Sequence, residues 1–227
     1  MQNLTEAFKV RLRFAKCGEL RLVSHHDLMR CVERMLRRAE IPMATSKGFN
    51  PRPKITFALA LGLGIEAKAE VVDLELSEPM ESPALIARLA AVAPPGLVFN
   101  EASILPPGAS APRPRTVEYS IPVLDERREQ AQSALELLLA SETWPFVRRR
   151  ADRETRFDLR QQVLEAELSG DGILRFRLRV FPDGSVRPEE LLEALALRDL
   201  LDHGAVLTRT NVELGPENDS TLKTPRM

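Results

Sequence analysis

Phe8-Lys9-Val10-Arg11-Leu12-Arg13-Phe14, followed after a short turn by Ser24-His25-His26-Asp27-Leu28, decides the fold of this chain. The first stretch alternates apolar and basic residues, the period-2 pattern of a strand buried on one face. A turn at Lys16-Cys17-Gly18-Glu19 and a short Leu20-Arg21-Leu22-Val23 follow. Ser24 then starts a helix, because Ser-x-x-Asp sets a hydroxyl at the N-cap and a carboxylate three residues on, a variant of the capping box. From His25 to Ala39, Leu28, Val32, Met35, Leu36 and Ala39 share one side of the helical wheel, and Arg30, Arg34, Arg37 and Arg38 the other. That is an amphipathic helix, and Pro42 is expected to end it.

Working outward, Ile55 to Leu61 and Val71 to Leu76 read as strands joined through Gly62-Leu63-Gly64. Ser82 to Val92 reads as a helix stopped at Pro94-Pro95-Gly96, and Leu97 to Ile104 as a strand. The order is βαββαβ. A Pro-rich stretch from Leu105 to Pro114 has no apolar period and reads as a linker. Beyond it, Val117 to Val123 is expected as a strand and Glu126 to Ala140 as a helix. Phe157 to Leu168 and Ile173 to Val180 should form a hairpin about Gly170-Asp171-Gly172, followed by a helix over Pro188 to Ala196 and a strand over Ala205 to Leu214. The order recurs without a sequence repeat. It predicts an α+β chain of two tandem ferredoxin-like domains, residues 7–105 and 117–214, with a linker at 106–116 and a disordered tail at 215–227.

Composition excludes several classes. An aromatic content of 5% leaves core filling to aliphatic side chains and rules out base stacking on several rings. The start Met1-Gln2-Asn3-Leu4-Thr5-Glu6 lacks the pattern of a secretory signal, and no apolar run approaches the roughly 20 residues that span a bilayer, so a cytoplasmic protein with no membrane contact is expected. Cys17 and Cys31, the only two cysteines, are too few for an iron–sulfur cluster or a four-cysteine zinc and are expected as free thiols. No metal and no cofactor is expected. The chain has 32 Lys and Arg against 33 Asp and Glu, yet residues 1–54 hold 12 against 5. A basic N-terminal region fits an anionic partner, such as RNA, an acidic protein or a phosphate-bearing ligand.

The candidate site residues lie in that region. His25 and Asp27 are the candidates for chemistry. A histidine titrates near neutrality and can act as general acid or base, while the bland alternative is a histidine bonded to the end of the preceding strand. Asp27 is equally explained as a cap carboxylate. Arg30, Arg34, Arg37 and Arg38 form a basic face suited to phosphate, or a merely solvated one. In Gly48-Phe49-Asn50-Pro51-Arg52-Pro53 the two prolines force extended backbone at Asn50 and Arg52. The result is either a pre-stiffened loop presenting Lys47, Phe49, Asn50 and Arg52 to a partner, or a rigid approach to the next strand. In a βαββαβ unit, His25 and this loop fall at opposite ends of a helix about 22 Å long, and the turn Gly62 to Lys68 and the Pro94-Pro95-Gly96 bend should wall the His25 end. In the second domain Arg148-Arg149-Arg150, Arg153, Arg156 and Arg160 read as a solvated edge strand or loop, or as a further basic surface.

Arg21-Leu22-Val23-Ser24-His25-His26-Asp27-Leu28-Met29-Arg30, Glu33-Arg34-x-Leu36-Arg37-Arg38-Ala39, Ile41-Pro42, Ser46-Lys47-Gly48-Phe49-Asn50-Pro51-Arg52-Pro53 and Phe57-Ala58-Leu59, with weaker stretches Phe157-Asp158-Leu159-Arg160 and Val186-Arg187-Pro188-Glu189-Glu190, resemble the radical-SAM-linked bacterial family DUF2344. That family usually has an apolar residue where this chain has His26, so a role carried over falls on His25 and Asp27. The resemblance implies a radical SAM enzyme as partner, and this chain lacks the three-cysteine motif of such an enzyme. The expectation is an accessory protein that binds RNA or positions a macromolecular substrate for that enzyme. Two alternatives stay open: an RNA-processing or RNA-modifying enzyme using His25, and a protein-docking module without nucleic-acid contact.

Overall fold

In the computed structural model the alternating opening run is β1 (Phe8–Lys16). The structure describes residues 8–150, 153–182 and 184–215. The expected tail lies outside them apart from Gly215. The described residues form four α-helices and ten strands, a mixed α+β chain. They divide into two units, one running to Pro114 and resuming at Leu214, the other Arg115–Glu213.

In the first unit β1 lies between β3 (Glu66–Leu76) and β4 (Leu97–Ile104), antiparallel to both. The short β2 (Ile55–Phe57) pairs antiparallel with β3. Val10, Leu12 and Phe14, the inward positions of β1, meet Val72, Leu74 and Leu76 of β3 and the apolar stripes of α1 (His25–Arg38) and α2 (Ser82–Ala90). Leu28, Val32, Met35 and Leu36 come from α1, and Leu85 and Leu89 from α2. Each such leucine contributes about 1.5–3 kcal/mol by leaving water, and Leu36→Ala would cost about 2–5 kcal/mol.

The ends of α1 have separate causes. Ser24 caps its start, its Oγ accepting the Asp27 N–H at 3.2 Å and donating to the Asp27 carboxylate at 2.7 Å. At its other end Ile41 N–H donates to Leu36 O at 3.0 Å and Glu40 N–H to Arg37 O at 3.2 Å, with Glu40 in the left-handed region at φ 52°. This is a Schellman termination, completed before Pro42 is reached. Proline follows the stop rather than making it.

Two element boundaries differ from expectation in this unit. β2 ends at Phe57, not Leu61, and β3 begins at Glu66, so Glu66 to Lys68 belong to a strand rather than a turn. The run Glu66-Ala67-Lys68-Ala69-Glu70 lacks large apolar residues and hides its strand character; Ala67 and Glu70 are nevertheless buried.

In the second unit β5 (Pro114–Pro122) lies between β10 (Thr208–Leu214) and β9 (Ile173–Arg179), and β9 also pairs with β8 (Val163–Leu168). The helices are α3 (Arg128–Ala140), preceded by a 3-10 turn at Asp125–Arg127, and α4 (Pro188–Ala194). Tyr119 stacks on Phe176 at 5.4 Å between centroids, and Arg209 Nε donates to the Tyr119 hydroxyl at 3.0 Å.

The expected single strand Phe157 to Leu168 is a correction. It is divided between β7 (Arg153–Asp158), a 3-10 turn at Arg160–Gln162, and β8. β7 pairs with β6 (Pro145–Arg150), which takes the strand alternative expected at Arg148 to Arg150, in a separate two-stranded sheet. Asp158 makes the break: its Oδ1 accepts the N–H groups of Trp144 at 2.8 Å and Arg160 at 3.0 Å, bonds that turn the chain instead of extending it.

No helix among the described residues is long and apolar enough to cross a membrane.

Candidate nucleic-acid interface

His25 is the first residue of α1 and is half-buried, whereas His26 beside it is exposed. Its ring meets Phe57 edge-on, with centroids 5.3 Å apart. Phe57 in turn lies edge-on to Phe14 at 6.0 Å. Asp27 is exposed, and its carboxylate accepts from the Ser24 hydroxyl that caps the helix; that hydroxyl, then Arg30 and His26, hold its carboxyl below the usual carboxylate range. Arg30 Nη1 donates to Asp27 Oδ1 at 3.2 Å, a well-exposed pair.

Beneath this helix start lie two charges that the sequence reading passed over. Lys16 is 0% exposed and Glu70 2%. The register puts Glu70 opposite Phe14 and Lys16 opposite Ala67, so both side chains leave the sheet on the face covered by α1. Lys16 Nζ donates to Arg21 O at 3.3 Å and Val23 O at 3.1 Å, and so fixes the 3-10 turn Gly18–Leu22 that leads into Ser24. Continuing the alternation Val10, Leu12, Phe14 by one more step reaches Lys16, a signal that was legible; the charge there suggested a strand end instead.

The two loops expected at this end of the unit are bonded to the 3-10 turn that precedes α1. Gly64 N–H donates to Arg21 O at 2.9 Å and Cys17 N–H to Gly96 O at 2.9 Å, and Gly18 N–H donates to Glu66 Oε1 at 2.8 Å. Gly96 stands at φ 88°, and a Cβ there would run into the Cys17 carbonyl.

At the opposite end of α1, Arg34, Arg37 and Arg38 are exposed and make no ion pair among the described residues. Arg34 Nε reaches only the Arg30 carbonyl, at 3.2 Å. The Gly48 loop begins here. Thr45 bridges to Pro53, Ser46 N–H donates to Arg52 O at 2.8 Å, and Arg52 N–H donates to Ser46 Oγ at 3.0 Å. These bonds close a neck beneath Lys47, Gly48, Phe49, Asn50 and Pro51, all exposed. The neck is tied to the far end of β3, Ala44 N–H donating to Glu75 O at 2.8 Å and Glu75 N–H to Lys54 O at 3.1 Å. The helix end is tied to that place too, Ser77 N–H donating to Pro42 O at 2.8 Å.

His25 and the loop are thereby apart. Phe57, which His25 touches, is opposite Val72, whereas the loop is anchored at Glu75. Three strand residues separate the anchors, about 10 Å at ~3.3 Å each, before the loop projects further. The site residues form two groups: His25 and Asp27 with Arg30 at one end, and Arg34, Arg37, Arg38, Lys47, Phe49, Asn50 and Arg52 toward the other.

The second unit's basic run is not uniformly solvated. Arg148 makes a bidentate pair with Glu190, donates from Nη2 to Ser185 O at 2.7 Å and covers the Phe157 ring at 5.1 Å. Arg160 is half-buried and donates to Val163 O at 2.9 Å. Arg149 and Arg156 do face solvent. Charge alone cannot reveal that Arg148 has an acidic partner 42 residues away.

A family described as "Uncharacterized protein conserved in bacteria (DUF2344)" matches residues 9–188. The chain belongs to the DUF2344 family. Every candidate residue of the first unit falls within the DUF2344 match, as do β6 and β7; β10 lies beyond it. No curated protein matches the chain. Among the described residues no three His, Cys, Asp or Glu side chains gather as a metal site, and Cys17 and Cys31 are free thiols.

Proposed function

We propose that this chain is an accessory protein of a radical SAM enzyme, binding RNA or positioning a macromolecular substrate for it. The observation that carries the RNA reading is the end of α1, where Arg34, Arg37 and Arg38 stand exposed with no ion pair among the described residues. They share that end of β3 with a loop carrying Lys47 and Arg52. From Ile41 to Ile65 the sequence has no acidic residue, so the charges the loop itself carries are all positive. Arginine forks on a fixed helix match phosphate oxygens at little entropic cost.

The ferredoxin-like reading of each unit is part of this proposal. It is supported by the strand orders: β4-β1-β3 with β2 on β3 in the first unit, and β10-β5-β9-β8 in the second once β6 and β7 are set aside as an insertion. Sheets of this kind present helices on one face, which is where the arginines lie.

A second reading, a docking module for the radical SAM enzyme without nucleic-acid contact, is favoured by one feature. Leu22 and Leu63 are both exposed, and the Gly64 to Arg21 bond holds their neighbours together beside the start of α1.

Filter retention of labelled RNA across a salt series tests the leading reading. Wild-type protein should retain RNA with an affinity that falls steeply with salt, and the triple change Arg34→Ala, Arg37→Ala, Arg38→Ala should lose most of it and flatten the slope by about 2–3 contacts. Unchanged retention in the triple variant would reject the reading. Capture of a radical SAM enzyme by the triple variant but not by a Leu22→Asp, Leu63→Asp variant would favour the docking module.

A further inference from the structure

Phe49 is 107% exposed, as open to water as a side chain can be. An exposed leucine or valine is ordinary, but this ring sits at the tip of a loop whose neck is closed by the Thr45 to Pro53 bridge and two bonds between Ser46 and Arg52. Gly48 stands at φ 149°, and Pro51 and Pro53 fix φ on the other side. The loop therefore holds the ring away from the core, where it would otherwise gain by folding back. Among the described residues of the first unit nothing covers the ring.

The surroundings of the ring choose its ligand. Lys47 and Arg52 flank it, both exposed, and among the described residues neither has an ionic partner. Lys54 is already paired with Glu75 at 2.6 Å. Arg37 and Arg38 close the last turn of the helix that ends at the same edge of β3. An aromatic face between unpaired cations fits a flat ring carried on an anionic backbone. It fits an acidic peptide less well, since a peptide offers no π-face at regular intervals beside its charge. A rigid duplex also fits poorly, because its bases are stacked on one another and expose only edges.

The geometry points to Phe49 as a stacking anchor for one unpaired nucleobase of a single-stranded RNA, with Lys47, Arg52, Arg37 and Arg38 on the phosphates to either side. This rests on the RNA reading above and narrows it: the ligand is single-stranded, and its first point of capture is the loop, not His25. One ring gives affinity without sequence choice, because every base has a face. It also agrees with a composition too poor in aromatic residues for a stacking platform.

The test compares binding of a single-stranded oligoribonucleotide of about 12 nucleotides with binding of the corresponding duplex, for the full chain and three variants. Phe49→Ala and Phe49→Leu should weaken single-strand binding by about 5- to 150-fold, the range of one lost base stack, while leaving duplex binding and the salt slope unchanged. Phe49→Trp should restore or exceed wild-type affinity. Full exposure makes all three safe for folding. Leucine is the discriminating case, since it keeps an apolar side chain without a π-face. If Phe49→Leu binds like wild type, or Phe49→Ala loses nothing, the stacking assignment is wrong while the basic-surface reading stands. If wild-type protein retains neither RNA, the basic-surface reading fails and the assignment fails with it.

Discussion

His25 stands edge-on to Phe57, with ring centroids 5.3 Å apart and planes at 84°. Phe57 carries the contact onward to Phe14 in the core, so the imidazole is a packing element of the first unit whatever else it does. Aromatic pairs of this geometry are worth about 0.5–1.5 kcal/mol beyond buried area. A double-mutant cycle with His25→Ala and Phe57→Leu, measured by urea denaturation, should return a coupling in that range. Retention of RNA should survive His25→Ala; its loss there, with folding intact, would place the RNA contact at the histidine instead of the far end of α1.

Lys16→Met should destabilise the protein by about 1–3 kcal/mol, because Val23 O loses its lysine donor and Arg21 O keeps only the Gly64 N–H. The same change loosens the turn before Ser24, so amide exchange at the start of α1 should accelerate more than at its end. A shift confined to global stability would mean that Lys16 does not position that turn.

Glu40→Gly should stabilise the chain. Glu40 occupies the left-handed position of the α1 termination at φ 52°, which costs a side-chain-bearing residue roughly 1–2 kcal/mol relative to glycine's freedom there. A rise in Tm is expected. It would be accompanied by tighter RNA binding if the α1 terminus is the phosphate-facing end, since a carboxylate leaves the neighbourhood of Arg37 and Arg38.

Arg11 and Asp73 form a bidentate pair across β1 and β3, at 2.8 and 3.0 Å, with Asp73 only 2% exposed. Asp73→Ala should cost about 1.5–3 kcal/mol by removing two charge-assisted hydrogen bonds from the Arg11 guanidinium. The double change Arg11→Met, Asp73→Leu should recover most of that loss in chemical denaturation, because it removes both desolvated charges together.

Acid should weaken the fold through exposed but paired carboxylates. Hydrogen bonding by Arg127 holds the Asp199 carboxyl below its ordinary value, and the Ser24 hydroxyl does so for Asp27. A depressed folded value means that the stabilisation is complete above the ordinary carboxylate range near pH 4 and is lost as pH falls through the depressed value. Asp199→Asn should flatten the acid limb of a plot of Tm against pH. In the Ser24→Ala variant, NMR titration should find Asp27 moved up toward the ordinary range.

The family, the α+β class and the helix α1 were all legible in the sequence, because they rest on local rules: the alternation from Phe8 to Phe14, the Ser24 cap, and a four-arginine face opposite Leu28, Val32 and Met35. The closed Gly48 loop was half legible, since prolines announce stiffness but not the Ser46 to Arg52 bonds that shut its neck. Elements whose residues are chosen by distant partners were not legible. β3 began four residues or more before its large apolar run because Glu70 and Lys16 are tolerated inside, and Arg148 left solvent because Glu190 awaits it. By itself the sequence determined which groups are available: a histidine at a helix start, a basic helix face, and an exposed-type loop with one ring. Only the tertiary structure decided which of them meet. The register of β2 on β3 assigns His25 to Phe57 and the loop to Glu75, because strand pairing converts a few residues of sequence into a fixed distance of about 10 Å.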